Sequence, residues 1–322
     1  MKKIILILCV FGVLFFTFKL SQSSPLKKFN IAILTPTTHP SLEQIERGFI
    51  DLIIKEYPNE YSFKTFNALG NKTLMRTEIE EIGRGNYDLV FAIGAGAAQM
   101  SKEVFEKKQL MIPIVFSAVP KPLNLNLIAD EKSSQNTLTG VKEVTDFQRE
   151  LSILSRIKPK VNTLTLVYDP TLHGLQEDRK EIEEIVAKMG ITLVCVEVFK
   201  SNEILAKSSP FIEKTDVVLV IKDNTVVSGV DALVKLCDRH HKLLMASELD
   251  SVDKGAALVF GVSETIYGSE AAKKALLILE NGVLPRDIPI TSPPPEEFYF
   301  RADKARLQAL GIEFFSKEDI RD

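Results

Sequence analysis

A turn of small residues is the first feature of this sequence that is suited to holding a ligand. Gly94-Ala95-Gly96-Ala97 follows the apolar run 88–93 and opens a helical stretch. Bare backbone N–H groups at a helix N-terminus favour an anion such as a carboxylate. The turn lacks the Lys-Ser/Thr of a P-loop, and Gln99 stands where a dinucleotide-binding fingerprint needs its third glycine. The pattern indicates a carboxylate site, and a tight packing turn that binds nothing is the alternative.

Acidic and hydroxyl-bearing residues follow two other predicted strands, 217–221 and 243–245. The ligand-binding candidates at these strand ends are Asp223, Asn224, Thr225, Ser247, Glu248 and Asp250. Ligands of open α/β sheets bind beyond the carboxyl ends of the strands, which is where these side chains lie. Their carboxylates are suited to an ammonium group. The same residue types also cap helices, and that alternative stays open.

The ends of the remaining predicted strands supply further binding candidates but no catalytic group. These candidates are Thr35, Thr37, Ser117, Ala118 and Tyr168. The sequence contains no G-x-S-x-G elbow, no His placed with a Ser or Cys nucleophile, and no Cys/His cluster with metal-ligand spacing. We therefore expect a binding protein rather than an enzyme, with no cofactor and no metal site.

Strand-like and helix-like segments alternate along the chain from residue 29 and must position these candidates. Nearly continuous apolar runs such as 88–93 are typical of buried parallel strands, and the segments between them have apolar residues at helical spacing. Two such series are separated by a weaker pattern near 120–145. The length of 322 residues is also typical of two domains. The sequence predicts the α/β class, with two Rossmann-like lobes built on parallel sheets.

The N-terminal segment has the pattern of an export signal. Met1-Lys2-Lys3 precedes the uncharged apolar run 4–18, and Lys19 and small polar residues follow it. That run is shorter than the roughly 20 residues of a membrane-spanning helix. We expect residues 1–23 to be a signal peptide of an exported, periplasmic or cell-surface protein. An uncleaved anchor that keeps the chain in contact with the membrane is the alternative.

A series of short segments carries a resemblance to a known family. They are HPSLEQIERGFID at 39–51, DLVFAIGAGAAQ at 88–99, IPIVFSAVPKP at 112–122, NTLTGV at 136–141, LVYDP at 166–170, DNTVVS at 223–228 and ASELDSVDKGAALVFGVS at 246–263. In order and spacing they resemble the ABC transporter substrate-binding family of the tryptophan/tyrosine-binding type. The resemblance implies a type I periplasmic-binding fold, whose lobes are joined by a three-crossover hinge and close over a ligand. The lobes would comprise residues 28–142 plus 265–283 and residues 143–264 plus 284–322.

Three positions depart from the pattern of that family. Thr35 and Lys121 stand where the family commonly has Gln and Asp, and Glu248 stands at a position that is usually Asp. The departures concern the choice of ligand more than the fold, because Lys121 reverses a charge near the expected cleft. Glu248 keeps the acidic character of its position and is the preferred candidate for binding an ammonium group.

The resemblance also implies a function. The family captures small solutes, of which aromatic amino acids are the best known, and delivers them to the permease and ATPase subunits of an ABC importer. We expect a monomeric binding protein of this kind. A sensory or receptor protein with the same fold is the alternative. The formal net charge of −3 provides no basic field for nucleic acid.

Overall fold

The computed structural model describes residues 29–132, 137–314 and 320–321. The expected signal peptide or anchor, residues 1–23, lies outside this part of the chain. Among the described residues, no helix has both the length and the apolar character needed to cross a membrane.

The described residues form a first sheet of five parallel strands in the order β2-β1-β3-β4-β5. The strands are β1 (Phe29–Thr35), β2 (Tyr61–Asn67), β3 (Leu89–Ile93), β4 (Ile114–Pro120) and β5 (Leu138–Glu143). All five residues of β3 are buried, as its continuous apolar run predicts for a parallel strand covered on both faces. All the strands point the same way, so their carboxyl ends share one edge of the sheet.

Within the described ranges, the second sheet has seven strands in the order β14-β12-β11-β10-β9-β7-β8. The strands of the second half are β6 (Ile157–Lys158), β7 (Thr163–Tyr168), β8 (Thr192–Glu197), β9 (Val217–Val220), β10 (Leu243–Ala246), β11 (Leu258–Gly261), β12 (Tyr299–Ala302), β13 (Glu313–Phe314) and β14 (Ile320–Arg321). Strands β7 to β11 are parallel, whereas β12 is antiparallel to β11 and β6 pairs with β13 in a separate ribbon. The predicted α/β class with two parallel-dominated sheets is confirmed. Strand β12 differs because the helix between β11 and β12, Glu264–Leu279, packs on the first sheet rather than on the second, and an extended, proline-rich stretch then leads into β12.

Helices cover the sheets. They are α1 (Pro40–Glu56), α2 (Lys72–Arg84), α3 (Ala95–Lys108), α4 (Phe147–Ser152), α5 (Leu175–Lys188), α6 (Ile204–Ile212), α7 (Asn224–Val227), α8 (Val230–His240), α9 (Glu264–Leu279) and α10 (Lys304–Ala309). The helix expected over 226–240 is divided into α7 and α8 at Ser228 and Gly229. Helix α9 follows β11 of the second sheet but packs on α1 and on β4 and β5 of the first sheet. The chain therefore passes between the two sheets before α9.

The segment after α9 stays with the first sheet for longer than the sequence suggests. Ile290 N donates to Glu131 O at 2.8 Å, and Lys142 N donates to Thr291 O at 2.8 Å. Thr139 Oγ1 donates to Ile288 O at 2.9 Å. Residues 284–322 are expected in the C-terminal lobe, yet 288–291 run along β5. These contacts pair an irregular strand edge with a proline-rich segment that has no strand-like alternation, so local pattern does not reveal them.

Two cysteines lie among the described residues, and both are free thiols. Cys195 is half-buried in β8, and Cys237 is buried in α8. Burial raises the pKa of the Cys237 thiol to about 12, with Asp238 adding to the effect. The thiol stays protonated at neutral pH and packs as a small apolar side chain.

Candidate ligand-binding cleft

The carboxyl ends of the strands of both sheets border one cleft. A cavity of about 630 Å³ lies in it, within the usual range of small-molecule sites. Its lining comprises Pro36, Thr37, His39, Ser41, Leu42, Ile45, Gly94, Ala95, Ala118, Pro120, Glu143, Leu172, His173, Leu175, Lys222, Asp223, Asn224, Val227, Ser228, Glu248, Lys254 and Glu264. The cleft thus combines aliphatic walls with a set of carboxylates and with small residues at the start of α3.

The N-terminus of α3 forms part of the wall contributed by the first sheet. Gly94 has a φ of 83°, a conformation that favours glycine, and no side chain of the described residues caps the helix. Gly94 N donates to Ser117 O and Ala98 N donates to Gly94 O, whereas the N–H groups of residues 95–97 have no acceptor within the described part of the chain. A Cβ atom added to Gly96 would meet nothing within 4 Å. The turn is open to a ligand and is chemically suited to a carboxylate.

Glu248 lies on the opposite wall, directly after β10. The residue is half-buried, and Ser41 Oγ of α1 donates to Glu248 Oε1 at 3.4 Å. Among the residues that the structure describes, no cation forms an ion pair with Glu248. The neighbouring Asp250 accepts a hydrogen bond from Gln44 Nε2 at 2.9 Å, also across the cleft. The carboxylate of Glu248 is therefore available to a positively charged group in the cavity.

Asp223, the other acidic candidate of the second sheet, has its carboxylate occupied by backbone groups. Asp223 Oδ1 accepts from Thr225 N at 2.8 Å and from Val226 N at 3.1 Å, which caps α7. Asp223 Oδ2 accepts from Asp169 N at 2.6 Å. The residue is only 1 % exposed. Asp223 shapes the cleft and has little capacity left for a ligand.

A partly buried ion cluster lines the cleft. Lys222 Nζ lies 2.8 Å from Glu143 Oε1 and 2.9 Å from Glu264 Oε1. It also lies 5.1 Å from the centre of the Tyr267 ring. Burial alone would lower the pKa of Lys222, but the attraction of the two carboxylates outweighs it and holds the pKa well above its ordinary value. Lys222 is therefore charged, and it joins the end of β5 to the start of α9.

A model of the family described as ABC transporter substrate binding protein matches residues 30–314. The chain belongs to this family. A tyrosine-binding protein of Clostridioides difficile (strain R20291) is 24% identical over 298 residues, which cover 92% of this chain and 84% of the relative.

Solved structures of similar proteins establish the same fold. An ABC domain from Streptococcus pneumonia in complex with L-Trp has a TM-score of 0.76 and 23% identity, and the match covers 90% of this chain and 97% of the other. A ligand-free, open substrate-binding protein with adhesive properties from Clostridium difficile also has a TM-score of 0.76, with 24% identity over 91% of this chain and 98% of the other. This substrate-binding protein therefore has the type I periplasmic-binding fold implied by the sequence resemblance.

The predicted binding residues of this substrate-binding protein divide into two groups. Those that line the cavity are Thr37, Gly94, Ala95, Ala118, Asp223, Asn224 and Glu248. Those that do not line it are Thr35, Gly96, Ala97, Ser117, Tyr168, Thr225, Ser247 and Asp250. Several of the second group are buried supports: Ser117 Oγ donates to Tyr267 O, and Tyr168 OH donates to Glu197 Oε1. Glu143, Lys222 and Glu264 were not predicted from the sequence. No motif or spacing around any of these residues indicates that they form ion pairs with one another.

Lys121 connects the two halves of this substrate-binding protein. Lys121 Nζ lies 2.6 Å from Asp178 Oδ1 and donates to Gly174 O at 2.9 Å. Both partners belong to the start of α5 over the second sheet, whereas Lys121 follows β4 of the first. Asp178 thus neutralises the charge that departs from the family pattern. Glu248 remains the available carboxylate.

Glu150 in α4 supports the strand end that carries Glu248. Its side chain is 0 % exposed, and both carboxyl oxygens lie 2.9 Å from Ser247 Oγ. Burial raises the pKa of Glu150 to about 8, and Asp146 adds to this while the Ser247 hydrogen bond opposes it. The folded state therefore holds a proton at neutral pH that the unfolded chain releases.

We expect the stability of the parent protein to fall as the pH rises from about 4.5 towards 8, because the folded carboxyl keeps its proton longer than the unfolded one. A Glu150→Gln variant cannot titrate there, so its free energy of unfolding should be less dependent on pH by on the order of 1 kcal/mol per pH unit. Urea denaturation of both proteins at pH 5, 6, 7 and 8 measures the difference. Parallel pH curves for parent and variant would contradict the assignment.

Proposed function

We propose that this protein is a non-catalytic, extracytoplasmic binding protein that captures an amino acid in the cleft and delivers it to an ABC importer. The main support for the proposal is that one cavity is bordered both by a site suited to an anion and by a site suited to a cation. Unsatisfied N–H groups at the start of α3 suit the ligand carboxylate, and Glu248 suits its ammonium group. An amino acid carries a carboxylate and an ammonium group on its α-carbon, so one cavity can bind both groups.

The aliphatic part of the lining supports an apolar or aromatic side chain on the ligand. Leu42 and Ile45 of α1 face the cavity from one side, and Leu172, Leu175 and Val227 face it from the other. Burial of apolar surface is worth about 25 cal/mol per Å², so such walls favour a ligand with an apolar body. The names of the relatives, one for tyrosine and one for bound L-Trp, support the same class.

The remaining parts of the proposal concern the arrangement and location of the chain. The protein acts as a monomer whose two lobes, residues 28–142 plus 265–291 and residues 143–264 plus 292–322, close around the ligand. Residues 284–291 are better assigned to the first lobe, because 288–291 run along β5. Residues 1–23 direct export, and the partners are the permease and ATPase of the importer.

A thermal-shift screen of the purified protein against the twenty amino acids and a set of sugars tests the proposal. A ligand at about 100 times its dissociation constant adds roughly 2.7 kcal/mol to stability, which should raise the melting temperature by several degrees. Tyrosine and tryptophan should act this way. Tyramine lacks the carboxylate and 4-hydroxyphenylpropionate lacks the ammonium group, so both should give much smaller shifts. A sugar that shifts the melting temperature while no amino acid does would refute the proposed ligand class.

A further inference from the structure

The charges that line the cleft are unevenly compensated. In the described part of the chain, four carboxylates line the cavity: Glu143, Asp223, Glu248 and Glu264. Backbone N–H groups satisfy Asp223, and Lys222 forms ion pairs with Glu143 and Glu264. Glu264 also lies in the first turn of α9, where a helix N-terminus favours a negative charge. Within the described residues, Glu248 is the lining carboxylate that lacks such compensation.

Lys222 occupies the most negative region of this cavity. Its side chain is 18 % exposed and lines the cleft between the end of β5 and the start of α9. Burial raises the pKa of Glu264, and repulsion from Glu143 and Glu248 adds to this while Lys222 opposes it. Three carboxylates thus converge on one region, and the ammonium group of Lys222 stands among them, whereas Lys254, a second lysine in the lining, is exposed. Without Lys222, the same region would be suited to a second ammonium group from a ligand.

We infer that Lys222 is a specificity-determining residue that limits the ligand to one ammonium group and an uncharged side chain, and so excludes basic amino acids and diamines. The inference rests on the proposed function and deepens it. A second cation that entered within about 6 Å of Lys222 would be repelled enough to weaken binding by on the order of a hundredfold at the effective permittivity of such sites. The uncompensated carboxylate of Glu248 then serves the α-ammonium group of the ligand.

Matched ligand pairs separate charge from size in the test. L-arginine and L-citrulline have similar shapes but differ in side-chain charge, as do L-lysine and L-norleucine. Isothermal titration calorimetry of the parent protein should show tighter binding of the uncharged member of each pair. In a Lys222→Met variant, Glu143 and Glu264 lack a cation. The ratio of the two dissociation constants within each pair should therefore shift in favour of the charged member by about tenfold or more. Unchanged ratios in a folded variant would overturn the inference.

A double variant shows whether charge or space is responsible. Lys222→Met combined with Glu264→Gln keeps any space that the Lys222→Met substitution opens. It removes one of the two carboxylates that lose their ion pair in the single variant. The shift towards charged ligands should shrink markedly in this variant. The same shift in the single and double variants would mean that Lys222 excludes ligands by its size, and the inference as stated would fail.

A second measurement covers the case in which Lys222→Met does not fold. Glu264→Gln alone keeps Lys222 and removes one negative charge, so both ratios should move further towards the uncharged member. A folded Glu264→Gln protein with parental ratios would overturn the inference.

Failure of the proposed ligand class is distinguishable from failure of this inference. If the parent binds no amino acid, cadaverine and 5-aminopentanol replace the amino-acid pairs in the same titrations. Selective gain of cadaverine binding by Lys222→Met would support the role of Lys222 without the amino-acid assignment. No gain would overturn that role.

Discussion

Replacing Glu248 with Gln should weaken binding of the amino-acid ligand by about 2–5 kcal/mol, which is the usual cost of removing one partner from a buried charge pair. The dissociation constant would then rise roughly 30-fold to 5,000-fold. The loss is large because the other carboxylates that line the cavity in the described part of the chain already have partners. Lys222 already pairs with Glu143 and Glu264, and Asp223 accepts three backbone hydrogen bonds. The ligand ammonium would be left in the cleft without an anionic partner.

Isothermal titration calorimetry with L-tyrosine and L-tryptophan at constant pH and ionic strength measures the effect. Asp250→Asn is the matched control, because Asp250 lies two residues further on and its contact is with Gln44. The control should reduce affinity far less. An analogue without the ammonium group should bind the parent and Glu248→Gln with the same affinity. If Glu248→Gln binds tyrosine as the parent does, the ammonium group is held elsewhere and this orientation of the ligand is wrong.

The residues whose position at the cleft could be predicted from the sequence are those that directly follow parallel strands. Glu248 follows a strand and Gly94 leads from a strand into a helix, and the rule that ligands bind beyond strand carboxyl ends places both at the cleft. The same rule placed Asp223 at the cleft, which is also where the structure has it. Its carboxylate nevertheless caps α7, and residue type alone cannot distinguish a cap from a ligand contact.

The ion cluster could not be predicted from short-range patterns in the sequence. Lys222 is 79 residues from Glu143 and 42 residues from Glu264 along the chain. None of the three has a spacing or motif that marks it, because the cluster exists only once α9 has returned to the first sheet. The pairing of 288–291 with β5 has the same origin. Contacts formed where the chain crosses between sheets require the fold and cannot be read from neighbouring residues.

The return of α9 depends on two glycines that let it cross α1 in backbone contact. A Cβ atom added to Gly268 of α9 would lie 1.9 Å from Ile45 O, and one added to Gly48 of α1 would lie 2.1 Å from Thr265 O. Both obstacles are backbone atoms, so no side-chain rotation can relieve the overlap. The helices would have to separate, which would also disturb the Ser117 Oγ to Tyr267 O hydrogen bond that joins β4 to α9.

Gly268→Ala should therefore destabilise the protein by at least about 3 kcal/mol, at or beyond the upper end of the cost of overpacking a core. The free energy of unfolding from urea denaturation measures this, and failure to obtain folded protein would be an extreme form of the same result. Gly96→Ala is the matched control, since that glycine also lies in a helix but faces open space. Alanine there should be neutral or stabilising by up to about 1 kcal/mol, because it lowers the entropy of the unfolded chain.

Equal stability of the Gly268→Ala and Gly96→Ala proteins would show that α1 and α9 can separate without cost. In that case the close crossing would not be what holds α9, and with it Glu264, against the first sheet at the cleft.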